Sequence, residues 1–246
     1  MDTNINLFTT QELKYAGKVN FNTTAKNDFV TNEAFKTLRS NILFCSKNIK
    51  TILITSAFEN EGKSTIATEL SKSLSDINKK VLLIDADMRK SVILRNNLKS
   101  QTILGLSEYL SGQTSVNDII YETQIPNFNV IFCGHFPPNP VELLSSDTFG
   151  DMLKFFSGIY DYVIVDTPPL SPVIDASVIS ANCDGAILVI TNNKVRISEA
   201  VEVKKQLSKS GCKIIGAILN DASPRHKYKN GYSSKKSYYS TYSIKN

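Results

Sequence analysis

A lysine set between glycine and hydroxyl residues, and carboxylates placed at the ends of apolar runs, are the groups in this chain whose spacing could do chemistry. Residues 51–65 read TILITSAFENEGKST: an apolar, β-branched run, a polar turn, then Gly62-Lys63-Ser64-Thr65 opening a helical pattern. Strand, phosphate-sized loop and Gly-Lys-Ser at a helix N-terminus form the P-loop arrangement. Its backbone N–H groups and the positive end of the helix dipole converge where a polyphosphate would sit. Lys63 can then reach the β- and γ-phosphates, and the Ser64 hydroxyl can ligate Mg2+. The residues expected to face the nucleotide are Ala57, Asn60, Glu61, Gly62, Lys63, Ser64 and Thr65. Ala57 stands where such loops usually begin with glycine, and Asn60 fills another position often taken by glycine. Asparagine tolerates a left-handed backbone better than other non-glycine residues, so the loop is expected to close.

The carboxylates follow two further apolar runs. Val81-Leu82-Leu83-Ile84 suits a strand covered on both faces of a parallel sheet, and it delivers Asp85 and Asp87 at its C-terminal end. Open α/β sheets bind their ligands at that end. Tyr162-Val163-Ile164-Val165 leads likewise to Asp166, followed by Thr167-Pro168-Pro169. This is a Walker-B-like element, with Asp166 the expected Mg2+ partner across from Ser64. Helix capping or surface exposure is the plainer reading of Asp85 and Asp87.

Strands and helices in alternation are needed to position these groups. A helix is expected from Thr31, with Ala34, Phe35, Leu38, Ile42 and Cys45 at helical spacing. A second covers residues 62–77, residues 103–121 read as helical, and a short strand follows at 129–132. Pro137-Pro138-Asn139-Pro140 breaks the chain before another helix opens at Val141. Strands over 186–191 and 214–220 flank a helix over 198–210. The fold class expected is α/β: a P-loop NTPase with a mostly parallel central sheet and helices on both faces. The expected organisation is an N-terminal arm (1–28), a P-loop domain (29–221) and a disordered, basic, tyrosine-rich tail (222–246).

Composition agrees with one such domain. The 246 residues, 41% hydrophobic and 21% charged, are enough for a full core and ordinary for a soluble globular protein. No apolar run approaches the roughly 18 to 20 residues that span a membrane. The polar N-terminus lacks the segments of a signal peptide. Cys45, Cys133, Cys183 and Cys212 lie far apart without CxxC pairing, which points to thiols in a reducing cytosol rather than a metal site or disulfide framework. The net charge of +5 belongs to the tail, where residues 222–246 carry six Lys or Arg and no acid, leaving the body near −1.

That tail has almost no aliphatic content and cannot support a core. It nevertheless holds Tyr228, Tyr232, Tyr238, Tyr239 and Tyr242, five of the ten tyrosines in the chain. Base stacking on a nucleic acid, adhesion to an anionic membrane, phosphorylation and packing on a neighbour are the roles open to such a segment.

Together, ITSAFENEGKST, VLLIDADMRK, YVIVDTPP and the terminal tyrosine cluster resemble the bacterial tyrosine kinases. The fit is to the cytoplasmic kinases of capsule and exopolysaccharide systems in Gram-positive bacteria, the CpsD/CapB type. CGHFPPNPVELLSS and PPLSPVIDA also look like segments of these kinases, and the resemblance covers residues 30–246. It implies ATP and Mg2+ as cofactors, with Lys63 holding phosphates and Ser64 with Asp166 holding the metal. It implies that Asp87 supports the metal through water and that Asp85 accepts the proton of an incoming tyrosine. Tyr228, Tyr232, Tyr238, Tyr239 and Tyr242 become the phosphoacceptors, and Asn220 a contact for adenine or a buried cap. Arg89 is either a charge partner near the phosphates or an ion-pair partner of an aspartate.

Glu33, Lys36 and Arg39 fall in the place of the family's ExxRxxR motif, which mediates ring-like self-association and phosphorylation in trans. Lys36 replaces an arginine there and lacks its bidentate fork; a solvated helix face is the alternative. The partners implied are a membrane-spanning activator (a polysaccharide co-polymerase) acting through its cytoplasmic segment and a cognate tyrosine phosphatase. No nucleic acid is expected, and the location implied is the cytoplasmic face of the membrane. Two other functions are compatible with the motifs: a partition or septum-site type of ATPase switch, and a nucleotide-gated scaffold for polysaccharide chain length. The first is disfavoured because Ala57-Phe58 stand where such ATPases carry an early lysine, the second because Asp85, Asp87 and Asp166 are all present.

Overall fold

Three apolar runs stand side by side at the centre of the protein: β3 (Val81–Asp85), β6 (Tyr162–Asp166) and β2 (Thr51–Ser56), every residue of them buried. The computed structural model describes residues 13–23, 29–45, 48–98, 103–171 and 174–221. Around the central strands lie β1 (Gly17–Val19), β4 (Ile120–Thr123), β5 (Phe128–Ile131), β7 (Gly185–Thr191) and β8 (Ile214–Asn220). The eight strands form one sheet in the order β1-β4-β5-β3-β6-β2-β7-β8. All pairings are parallel except β4 with β5.

A strand buried on both sides needs apolar residues of either parity, which is why these runs are continuous rather than alternating. Leu53, Leu82, Ile84, Val163 and Val165 face one core, shared with Phe149 and Phe156 of α6 (Asp147–Ile159), Ile179 of α7 (Asp175–Ser180) and Leu207 of α8 (Ile197–Lys209). Ile52, Ile54, Leu83 and Ile164 face the other, shared with Ile42 of α1 (Phe29–Cys45) and Ile66, Leu70 and Leu74 of α2 (Lys63–Ser75). Each fully buried Leu, Ile or Phe contributes about 1.5–3 kcal/mol from apolar transfer alone. The expected sheet with helices on both faces is thus present.

Two local expectations need correcting. Residues 103–121 do not form one helix: α4 spans only Leu106–Leu110, Gly112 at φ 75° breaks it, and a 3-10 turn over Val116–Asp118 leads into β4. The Ile119-Ile120 pair, read as a helix face, instead leads into β4, which lies between β1 and β5. Ahead of residue 29, β1 adds a strand beside β4, and Phe21, 2% exposed, packs edge-on against Phe128. The remaining helices are α3 (Val92–Leu98) and α5 (Pro140–Leu144), the latter opened by Pro140 at its first turn.

Candidate active site

The candidate residues meet at the C-terminal ends of β2, β3 and β6, where an open α/β sheet holds its ligand. Asp166 is level with Ile54 on one side and with Asp85 on the other. It therefore stands between the strand that launches the P-loop and the strand that delivers the other two carboxylates.

The loop from Ala57 to Gly62 is braced from inside. Glu61 is 1% exposed and accepts hydrogen bonds from Phe58 N at 2.7 Å and Thr191 N at 2.8 Å. Its carbonyl accepts from Asn220 Nδ2 at 2.9 Å and Thr191 Oγ1 at 3.3 Å. The side chain of Glu61 is thus a strut of the loop, although its sequence position suggested a nucleotide-facing residue. Asn60 adopts the left-handed backbone at φ 60°, and Gly62 does so at φ 87°. A Cβ on Gly62 would lie 2.3 Å from Asn220 Nδ2, so glycine is required there for space as well as for φ. Ala57 is buried and has no positive φ; its methyl imposes no backbone strain. The Ile66 N–H donates to the Gly62 carbonyl at 2.9 Å, which starts α2 with Lys63, Ser64 and Thr65 in its first turn.

The carboxylates differ in how they are satisfied. Asp85 is fully buried; the Ser91 hydroxyl donates to its Oδ2, and Asp87 N donates to Oδ1 at 3.3 Å. Burial, and then the charge of Asp166, push its pKa well above the carboxylate range. Asp166 is also fully buried, but neither of its oxygens has a hydrogen-bond partner of normal geometry among the described residues. Burial raises its pKa to about 7, against the opposing pull of Lys63 and the Ser64 hydroxyl beside it. Asp87, 7% exposed, accepts from Arg89 N at 3.2 Å and Lys90 N at 2.9 Å.

This donor set fits a magnesium ion. Two orphaned carboxylate oxygens, a hydroxyl and a further carboxylate are hard oxygen ligands, the kind Mg2+ takes together with phosphate and water. Ser64, Asp166 and Asp87 would hold it, and Lys63, 7% exposed, would supply the neighbouring positive charge.

Other expected residues fall elsewhere. Arg89 does not reach out as a free charge: its Nε and Nη2 grip Asp175 at 2.9 and 3.0 Å, which is the ion-pair alternative. Asn220 lies against the P-loop with its amide nitrogen committed to Glu61. On α1, Lys36 pairs with Glu33 at 2.7 Å on an exposed face, whereas Arg39 Nη1 donates to the Ser73 carbonyl of α2 at 2.7 Å. The five tail tyrosines lie outside the described residues. Sequence reasoning missed Ser91, Thr191 and Asp175. Ser91 had a signal, since a serine directly before Val92-Ile93-Leu94 reads as an N-cap, and its hydroxyl does accept from Leu94 N at 2.8 Å. The other two are partners distant in sequence, with no local signal.

A braced P-loop facing a metal-ready aspartate and a buried second carboxylate defines a nucleotide-binding enzyme of the P-loop class. A family model described as an AAA domain matches residues 49–213. The tyrosine-protein kinase CpsD of Streptococcus agalactiae is 43% identical over 190 residues, covering 77% of this chain and 83% of that protein. The kinase domain of the Escherichia coli tyrosine kinase ETK superposes with a TM-score of 0.75 at 29% identity, covering 90% of this chain and 95% of that one. The septum site-determining protein MinD of Pyrococcus horikoshii, complexed with Mg-ADP, gives 0.60 at 26% identity and 69% coverage of each. The chain belongs to the family of bacterial tyrosine-protein kinases.

Proposed function

We propose that this protein is an ATP-dependent tyrosine autokinase that phosphorylates its own C-terminal tyrosines and thereby regulates capsule or exopolysaccharide synthesis and export. The observation that carries the catalytic reading is the buried Asp85, level with Asp166 on the adjacent strand at the mouth of the P-loop. A tyrosine hydroxyl attacks the γ-phosphorus of ATP; the bond to the bridging oxygen breaks, ADP leaves, and the phenolic proton passes to the Asp85 carboxylate. A phenol has a pKa of about 10, so a positioned carboxylate serves more as an orienting acceptor than as a strong base. Lys63 and the loop N–H groups orient the phosphates, and most of the rate comes from such positioning. When bound, Mg2+ offsets phosphate charge.

Tyr228, Tyr232, Tyr238, Tyr239 and Tyr242 are the acceptors in this reading, reached in trans within a ring assembled through the face bearing Glu33, Lys36 and Arg39. Among the described residues no helix is long and apolar enough to cross a membrane. Attachment to the cytoplasmic face of the membrane would come from a membrane-spanning activator, and reversal from a tyrosine phosphatase. Asn220, held against the P-loop, is the candidate contact for the adenine base.

The test is incubation of the purified protein with Mg-ATP, with and without the cytoplasmic segment of the activator, followed by mass spectrometry. Phosphate on residues 228–242, lost in Lys63→Met and removed by truncation after Asp221, is the expected result. ATP turnover with an unmodified tail under both conditions would identify an ATPase switch instead. Label persisting on the body of the truncated chain would show that the tail is not the main acceptor.

A further inference from the structure

Two ion pairs tie the loop after β3 to segments outside it. Lys90 Nζ meets Glu59 Oε2 of the P-loop at 2.6 Å, but both side chains are more than half exposed, 57% and 53%. Pairs of that kind are screened by water and hold little. Arg89 is different. Its guanidinium makes two parallel hydrogen bonds to Asp175, whose side chain is 0% exposed and has both oxygens engaged by this one partner. A bidentate fork fixes direction as well as distance.

The anchored residue also holds Asp87. The backbone N–H groups of Arg89 and Lys90 both donate to Asp87 Oδ1, which leaves Oδ2 without a bond to either of them. Asp175 opens α7, the first helix after the strand that ends in Asp166. The fork therefore joins the loop carrying Asp87 to the segment that follows Asp166, and it reaches Asp87 through one residue of backbone. A shift of the guanidinium swings the N–H groups that aim this carboxylate.

We propose that Asp175 and Arg89 are positioning residues: their ion pair aims the Asp87 carboxylate at the magnesium bound with the nucleotide. The inference rests on the metal site of the kinase reading, and its test does not depend on tyrosine labelling. The full-length protein is titrated with a fluorescent ADP analogue in Mg2+ and in EDTA, and the two dissociation constants are compared as a ratio. For Asp175→Asn, the metal-free affinity should stay within about twofold of wild type, while the gain conferred by Mg2+ should shrink at least fivefold. Arg89→Gln, at a partly exposed position, should behave alike and serves if Asp175→Asn does not fold. Arg89→Lys, which keeps charge but loses the fork, should fall between. Lys90→Ala removes the exposed pair and should leave the ratio within twofold. A lower melting temperature with an unchanged ratio in the folded variants would make the pair merely structural and overturn the proposal. A wild type that fails to label tyrosine yet shows the same set of ratios would overturn the kinase reading and leave the positioning role standing.

Discussion

Asp85 and Asp166 occupy matching places on adjacent parallel strands, and their turns solve the same problem in opposite ways. Each ends a fully apolar strand, each is 0% exposed, and each has its pKa driven up by burial. The turn after β3 closes upon its carboxylate, with Ser91 and Asp87 N supplying a donor to each oxygen. Among the described residues, the turn after β6 supplies none within normal geometry. Buried polar groups are nearly always partnered, because leaving one bare costs about 1–3 kcal/mol or more for a charge. A bare carboxylate facing Lys63 and Ser64 is consistent with a site completed by a ligand, whereas a partnered one is held in place before any ligand arrives. The first suits metal binding, and the second suits a group that must stay aimed at an incoming hydroxyl.

The largest effect should come from the partnered side. Asp85→Ala is expected to cut tyrosine phosphorylation by roughly 10²–10⁴-fold, the usual size of a lost acid–base group, while nucleotide affinity stays near wild type. A loss of both in equal measure would erase the division of labour between the two aspartates.

The bare side makes a prediction about stability instead. Protonation favours the folded state of a group whose pKa is about 7 there against roughly 3.9 unfolded. That contribution is present in acid and lost as the pH rises through 7. Asp166→Asn should therefore gain on wild type between pH 4 and 7, by ~1–4 kcal/mol in EDTA, with the difference level above that range. Denaturant melts across pH decide it, and the same variant should show little response of ADP binding to Mg2+.

A smaller effect tests the P-loop that both turns face. Gly62→Ala should cost about 1–2 kcal/mol from its left-handed backbone alone, with weaker ATP binding. Adding Asn220→Ala should recover only the part due to the 2.3 Å clash. The smallest change is expected far from the site: Lys36→Ala, at an exposed i,i+3 pair, should alter stability by less than about 1 kcal/mol. Sedimentation of that variant separately reports any loss of self-association.

The two aspartates also show what a sequence discloses. Their positions were legible because a continuous apolar run ending in a carboxylate has few meanings in a parallel sheet. Their difference was not, since it depends on Ser91 closing on one and on no donor of normal geometry reaching the other among the described residues. Arg89 teaches the same lesson at longer range: its partner Asp175 lies 86 residues away, and only the folded chain brings them together. Glu61 was assigned to the nucleotide from its place in the loop, yet Thr191, 130 residues on, turns it inward. The elements were read well where a continuous apolar run was long enough to stand out, as in β2, β3 and β6. They were misread where a short strand such as β1 or β4 carries too few residues to display a pattern.

The edge strand β1 also sets an order of events in synthesis. Phe21 is fixed by both its N–H and its carbonyl to the side chain of Gln124, 103 residues later. At about 5–20 residues per second, the N-terminal segment waits roughly 5 to 20 s on the ribosome before its docking partner exists. During that interval the P-loop helix can already pack on β2, while Phe21 has no aromatic cluster to enter. A segment made early is thus among the last to find its place, and the nascent protein carries an unsheltered aromatic that a chaperone could recognise.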